Sequence, residues 1–243
     1  MTSPAPLGAR TPTIGPAPGP SAAGRARSQE MFELAFGTVY AGLMTNFLLL
    51  VSALPLVVLL FTTDPARSWP GISLTAPLVA PGLVGAFAVF GALGPDGSGQ
   101  VVRTFARAWW RHLRRSLAIG VLASGLTTML ALNLTYLSTA EAQRAALIPL
   151  QLVLGAAVAA TVLLALVAVP ELPEVRLRDL LRSALWLAAR RWYLVAVALL
   201  VLSLGASAFV ERPAIALGLA VAPLLYVAWG LARFALRPVL PSA

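Results

Sequence analysis

The chain contains no cysteine and no lysine, has a single histidine, and carries charge at only 11% of its 243 positions. Without cysteine there can be no disulfide, thiolate metal site or iron–sulfur ligation. One histidine is too few for the common zinc sites. His112 also stands among arginines with no carboxylate near it in sequence, so a Ser-His-Asp arrangement has no visible partner. No Walker sequence occurs. The segment "GPDGSGQ" at 94–100 offers Gly97, Ser98 and Gly99 but lacks the third glycine and the preceding buried strand of a dinucleotide site, so it reads as a loop. No catalytic residue, metal or cofactor is expected from these patterns.

What the chain does have is apolar surface. It is 59% hydrophobic with a mean hydropathy of +0.84, against roughly 45–50% apolar residues in a soluble domain. About 20 apolar residues cross a ~30 Å hydrocarbon layer. Six runs free of Asp, Glu, Lys, Arg and His reach or approach that length, at 36–62, 75–94, 116–138, 145–169, 192–210 and 213–232. The expected fold is all-α, a polytopic membrane bundle of six transmembrane helices arranged as three hairpins.

Residues 1–27 hold six prolines and four glycines with almost no large apolar side chain. Nothing there offsets the entropy of ordering, so a disordered tail is expected. The membrane domain then occupies 28–236, and 237–243 forms a short C-terminal tail. Its second and third units share a layout: "WRHLRRSLAIGVL" from Trp110 and "WLAARRWYLVAVA" from Trp186 each place Arg-Arg at the mouth of an apolar run.

Arginine counting gives sidedness. The N-terminal tail, the 95–115 and 170–191 linkers and the C-terminus together hold fifteen of the eighteen arginines. The alternate loops hold Arg67, Arg144 and Arg212, each beside an acid. Both termini are therefore expected in the cytoplasm, with the protein in the inner membrane. Five tryptophans, Trp109, Trp110, Trp186, Trp192 and Trp229, fall at the inner boundary, where amphipathic rings prefer to sit.

The basic, aromatic stretch "VVRTFARAWWRHLRRS" at 101–116 resembles a nucleic-acid contact as much as a membrane edge. At 100° per residue, Arg103, Arg107, Arg111 and Arg114 share one arc of a helix, with Val102, Phe105, Trp109 and Leu113 roughly opposite. This pattern predicts an interfacial helix, with its apolar arc among acyl chains and its arginines on anionic headgroups of the bilayer. Nucleic acid is not expected as a partner, because it would leave Phe105 and Trp109 with nothing apolar to touch. Arg115 belongs to the same set. The 176–191 segment, with Trp186, Arg190, Arg191 and Trp192, reads as a second, looser interfacial helix.

Inside the runs the strongest polar groups are Asn46, Asn133 and Gln151. Lipid offers such groups no partner, so they should bond a neighbouring helix or line a wet path, and interhelical bonding is the simpler expectation. Pro55 should break the first run, while Pro77, Pro81, Pro149 and Pro223 should shape the even-numbered ones. Gly120 with Ser124, and Gly155 with Ala159, have the spacing of close-packing seams.

The stretches "NFLLLVSALP" (46–55), "PLVAPGLVGAFAVF" (77–90) and "VRTFARAWWRHLRRS" (102–116) together resemble the YesL family over roughly residues 30–210. The long Pro-Gly tail and the all-arginine basic set depart from that family's usual form. The resemblance implies a small bacterial integral membrane protein of unestablished activity, linked to carbohydrate uptake or utilisation. Some relatives carry a ferredoxin-NADPH reductase label, which no motif of this sequence supports. Three function classes stay open: a non-catalytic accessory or assembly component, through a carbohydrate transporter complex or self-association; a small-solute transporter; and, last, a membrane enzyme. Neither basic linker carries the Glu-Ala-Ala pattern of an importer's own permease.

Overall fold

A computed structural model describes residues 20–64, 67–93, 100–134, 141–211 and 221–239, with side-chain surroundings from residue 36 onward except at 141–146 and 208–210. Every regular element among the described residues is helical: α1 (Pro20–Ser52), α2 (Leu54–Thr62), α3 (Trp69–Thr75), a 3-10 turn (Ala76–Leu78), α4 (Val79–Ala92), α5 (Val101–Leu132), α6 (Glu141–Glu171), α7 (Leu177–Arg190), α8 (Trp192–Glu211) and α9 (Val221–Leu236). The chain divides into two units, Met1–Phe36 and Gly37–Ala243, and the second carries the packed core.

Three helical stretches, Trp69–Ala92, Val101–Leu132 and Leu147–Glu171, are long and apolar enough to cross a membrane, and the number rises to five if each of two bent pairs counts as one crossing. The first pair joins α1 and α2 at 69°. Its break falls where the sequence places Pro55, in the first turn of α2, because the ring removes a backbone donor and clashes with the preceding turn. The second pair joins α7 to α8 at 97°. The helix α9 is apolar but has only 16 residues, about 24 Å at ~1.5 Å per residue. Residues 213–220 of the sixth expected run lie outside the described residues.

The core centres on α4 and the C-terminal half of α6. In α4 nine of fourteen residues are buried, on all sides of the helix. Small residues make that possible, since a Cβ added at Gly82 would sit 2.7 Å from the Ser52 hydroxyl, and one at Gly85 would sit 2.9 Å from the Phe105 ring. Phe90 at the other end of α4 meets Tyr226 edge-on at 5.4 Å and Trp229 at 6.1 Å. From Leu163 to Val169 every residue of α6 is buried, whereas Ile148, Leu150, Leu152, Val153 and Leu154 on the same helix are exposed.

Two expectations are corrected. Helix α1 begins at Pro20, so residues 20–27 are helical instead of lacking structure. Proline suits a helix's first turn, and the alanines and arginines that follow favour helix. Residues 1–19 lie outside the described residues. Nor is 101–114 a separate helix laid against a membrane ahead of a span at 116. Both belong to the unbroken 32-residue α5, because nothing between Arg111 and Ile119 is a glycine or proline that could turn the chain.

Candidate interaction surface

The basic stretch was expected to bury Val102, Phe105, Trp109 and Leu113 in lipid. In the structure the covered arc is Val101, Phe105, Ala108, His112 and Ser116, and what covers it is protein. Phe105 lies against Gly85, and the indole N–H of Trp109 donates to the Ser52 hydroxyl at 3.2 Å. The absent side chain at Gly85 and the small one at Ala108 let α4 and α5 approach closely, which rotates α5 from the arc that its large residues alone define. Val102 and Trp110 then face outward, and Trp110 is 70% exposed. Its ring meets that of Trp109 edge-on at 4.7 Å. Arg103, Arg107, Arg111 and Arg114 are all exposed beside it.

Arg115 departs from this row. A step of 100° from Arg114 turns it toward the C-terminal end of α6, where its guanidinium donates to the carbonyls of Leu172 (3.4 Å), Pro173 (2.5 Å) and Val175. Carbonyls past the end of a helix lack intrahelical donors, and a planar cation with five N–H groups can serve several of them at once. The interfacial position expected for Arg115 is thus a strap between α5 and the α6–α7 turn.

A second cluster forms nearby. The Arg233 Nε lies 3.0 Å from the Glu171 carboxylate, with the guanidinium 5.3 Å from the Trp229 ring. Arg191, at the α7–α8 elbow, donates to the Phe234 carbonyl at 3.1 Å, and Arg237 sits 4.5 Å over the Phe234 ring. Arg190 lies 5.0 Å over the exposed Trp186, and Trp192 is 68% exposed. Sequence reasoning placed these arginines at one end but missed their partners. The one signal for Glu171 is that it is the acid closing a long apolar run.

The three polar residues within the runs do not converge on a common site in the described contacts. Asn46 is buried and engaged in an interaction. Gln151 is also buried, and its side-chain oxygen has no hydrogen-bond partner among the described residues. Thr45, beside Asn46 and fully buried, has a hydroxyl with no hydrogen-bond partner among the described residues, a feature with no signal in the sequence. Asn133 lines the rim of an open cleft of about 1090 Å³ between the Trp69–Leu78 segment and the C-terminal half of α5. Along the cleft the Ser73 and Thr128 hydroxyls bond each other at 2.8 Å, and Ser124 donates to the Ser73 carbonyl at 2.6 Å. The Gly120–Ser124 seam therefore packs as its spacing predicts, with a Cβ at Gly120 only 2.8 Å from the Pro77 carbonyl oxygen. Gly155, by contrast, has nothing among the described residues within 4 Å of an added Cβ.

Among the described residues no three His, Asp or Glu side chains gather as a metal site would need. No family model matches the chain, and no curated protein or solved structure matches it.

Proposed function

We propose that this is a six-span protein of a bacterial inner membrane with both termini cytoplasmic, and that it acts as a non-catalytic accessory or assembly component linked to carbohydrate uptake or utilisation. The resemblance to the YesL family supplies the carbohydrate link. The observation that carries the non-catalytic reading is the use made of polar side chains. Arg115 straps a turn, Arg233 pairs with Glu171, Trp109 bonds Ser52, and Ser73 bonds Thr128. Each of these fastens one helix to another, whereas catalysis needs groups that converge on a reacting atom.

The fifteen-to-three arginine split supports the orientation. The 97° elbow supports a surface position for α7, whose exposed Trp186, Arg190 and neighbouring Trp192 suit contact with anionic headgroups. Reporter fusions after Thr63, Ala140 and Glu211 should read as external, and fusions after Gly97 and Glu174 as cytoplasmic; one clear reversal would overturn the six-span topology. Function is tested by purifying the tagged chain in mild detergent from its own host. A stoichiometric permease or ATPase subunit supports the accessory role.

A small-solute transporter is the second reading, favoured by the unpartnered Gln151 oxygen buried within an apolar helix. The purified chain alone would then carry labelled sugar into vesicles, and Gln151→Leu would abolish that uptake without lowering abundance.

A further inference from the structure

The N-terminal half of α5 presents a face that the described fold neither covers nor neutralises. Arg103, Arg107, Arg111 and Arg114 are exposed along it, with exposed Trp110 at the edge of the row. Helix α5 contains no acidic residue, and among the described residues none of the four arginines has an ion pair. Their spacing of four, four and three residues sets the charges roughly 6, 6 and 4.5 Å apart along the axis. That rhythm matches carboxylates repeated every four residues on another helix.

An interfacial helix keeps its apolar arc for acyl chains. Here that arc is already occupied, since Phe105 is packed on Gly85 and Trp109 is bonded to Ser52. What faces outward is a row of guanidinium groups beside one exposed indole. Tryptophan and arginine are the residue types that dominate the energetics of protein–protein contacts. Guanidinium groups also pair with carboxylates in a planar, two-point fashion that a diffuse surface charge does not require.

We propose that this face docks an acidic amphipathic helix of a partner protein, with carboxylates on the arginine row and an apolar side chain against Trp110. The proposal rests on the accessory reading and gives the partner's chemistry. Because the chain has no cysteine, Ala106→Cys provides a unique labelling position on the face. The full chain, labelled there with an environment-sensitive dye, would be placed in phosphatidylcholine nanodiscs. It would be titrated with a synthetic helix bearing glutamates at every fourth position and leucines on the adjoining face, and with its lysine counterpart.

The glutamate helix should give a saturable spectral shift. Arg103→Glu/Arg107→Glu/Arg111→Glu should weaken it by roughly ten-fold or more and confer preference for the lysine helix. Trp110→Ala, which leaves the charge untouched, should weaken it by about five-fold or more. The same charge change at Arg176, Arg178 and Arg182 should not matter, provided each variant keeps its melting temperature. Equal loss from that control set, or no loss from Trp110→Ala, would overturn the proposal. So would quenching of the dye by a lipid-borne nitroxide in phosphatidylglycerol nanodiscs, which would assign the face to the membrane. Absence of peptide binding while the host still shows a deletion phenotype in sugar-dependent growth removes the docking face alone; binding without any such phenotype removes the accessory role alone.

Discussion

Two stretches of one helix, α6, are both free of charge and largely apolar, yet meet opposite surroundings. Residues 147–159 turn large aliphatic side chains outward, with Leu152 and Val153 more than 60% exposed. Residues 163–169 are wrapped on every side, at 6% exposure or less. Apolarity alone does not name the surroundings, because lipid and a protein core both exclude water. Helices α4, α5, α7 and α9 pack on α6, and it is the second half that is covered. An apolar run thus marks the absence of water and leaves open what replaces it.

The contrast can be tested most sharply within the helix. Leu164→Ala should cost about 2–5 kcal/mol, as a buried cavity does, while Leu152→Ala should cost less than about 0.5 kcal/mol, as at a site with few protein neighbours; thermal unfolding in nanodiscs reads both. A reversal of that order would mean that the outward half is the packed one, in an oligomer.

The glycines repeat the comparison. Gly120→Val drives a side chain into the backbone at Pro77 and should cost about 1–3 kcal/mol. Gly155→Val meets open space in the single chain, so a comparable loss there would reveal a self-association seam. Of the two adjacent arginines, Arg115→Gln removes the strap and should cost about 1–2 kcal/mol. Arg114→Gln should stay within about 0.5 kcal/mol. In the cleft, a double-mutant cycle over Ser73→Ala and Thr128→Ala should return a coupling of ~0.6 kcal/mol.

Helicity, the break at Pro55, the Gly120 seam and the clustering of arginines were legible because each depends on residues near one another in sequence. Proline breaks the helix it occupies, and a small residue four positions from another makes a groove on any helix. The strap at Arg115 was not legible, because its carbonyl partners lie 57 to 60 residues away and carbonyls leave no mark in a sequence. The rotated face of α5 was missed for a related reason. A helical wheel weighs side-chain size and polarity, whereas the packing here is set by what is small, Gly85 and Ala108, on two different helices. Exposure of Trp110 in place of Trp109 follows from that rotation.

Helix α4 meets Ser52 before it and α5 soon after it in the chain, but the covers at its C-terminal end come much later. Glu171 and Trp229 beside Gly91, and Tyr226 against Phe90, lie about 80 to 140 residues downstream. A ribosome supplies those covers many seconds after α4 has emerged, at roughly 5–20 residues per second. During that interval the bare sides of α4 need a temporary host, and its uniformly apolar surface is suited to one. The composition of α4 thus serves two masters in succession, the environment it meets on leaving the ribosome and the neighbours that later enclose it.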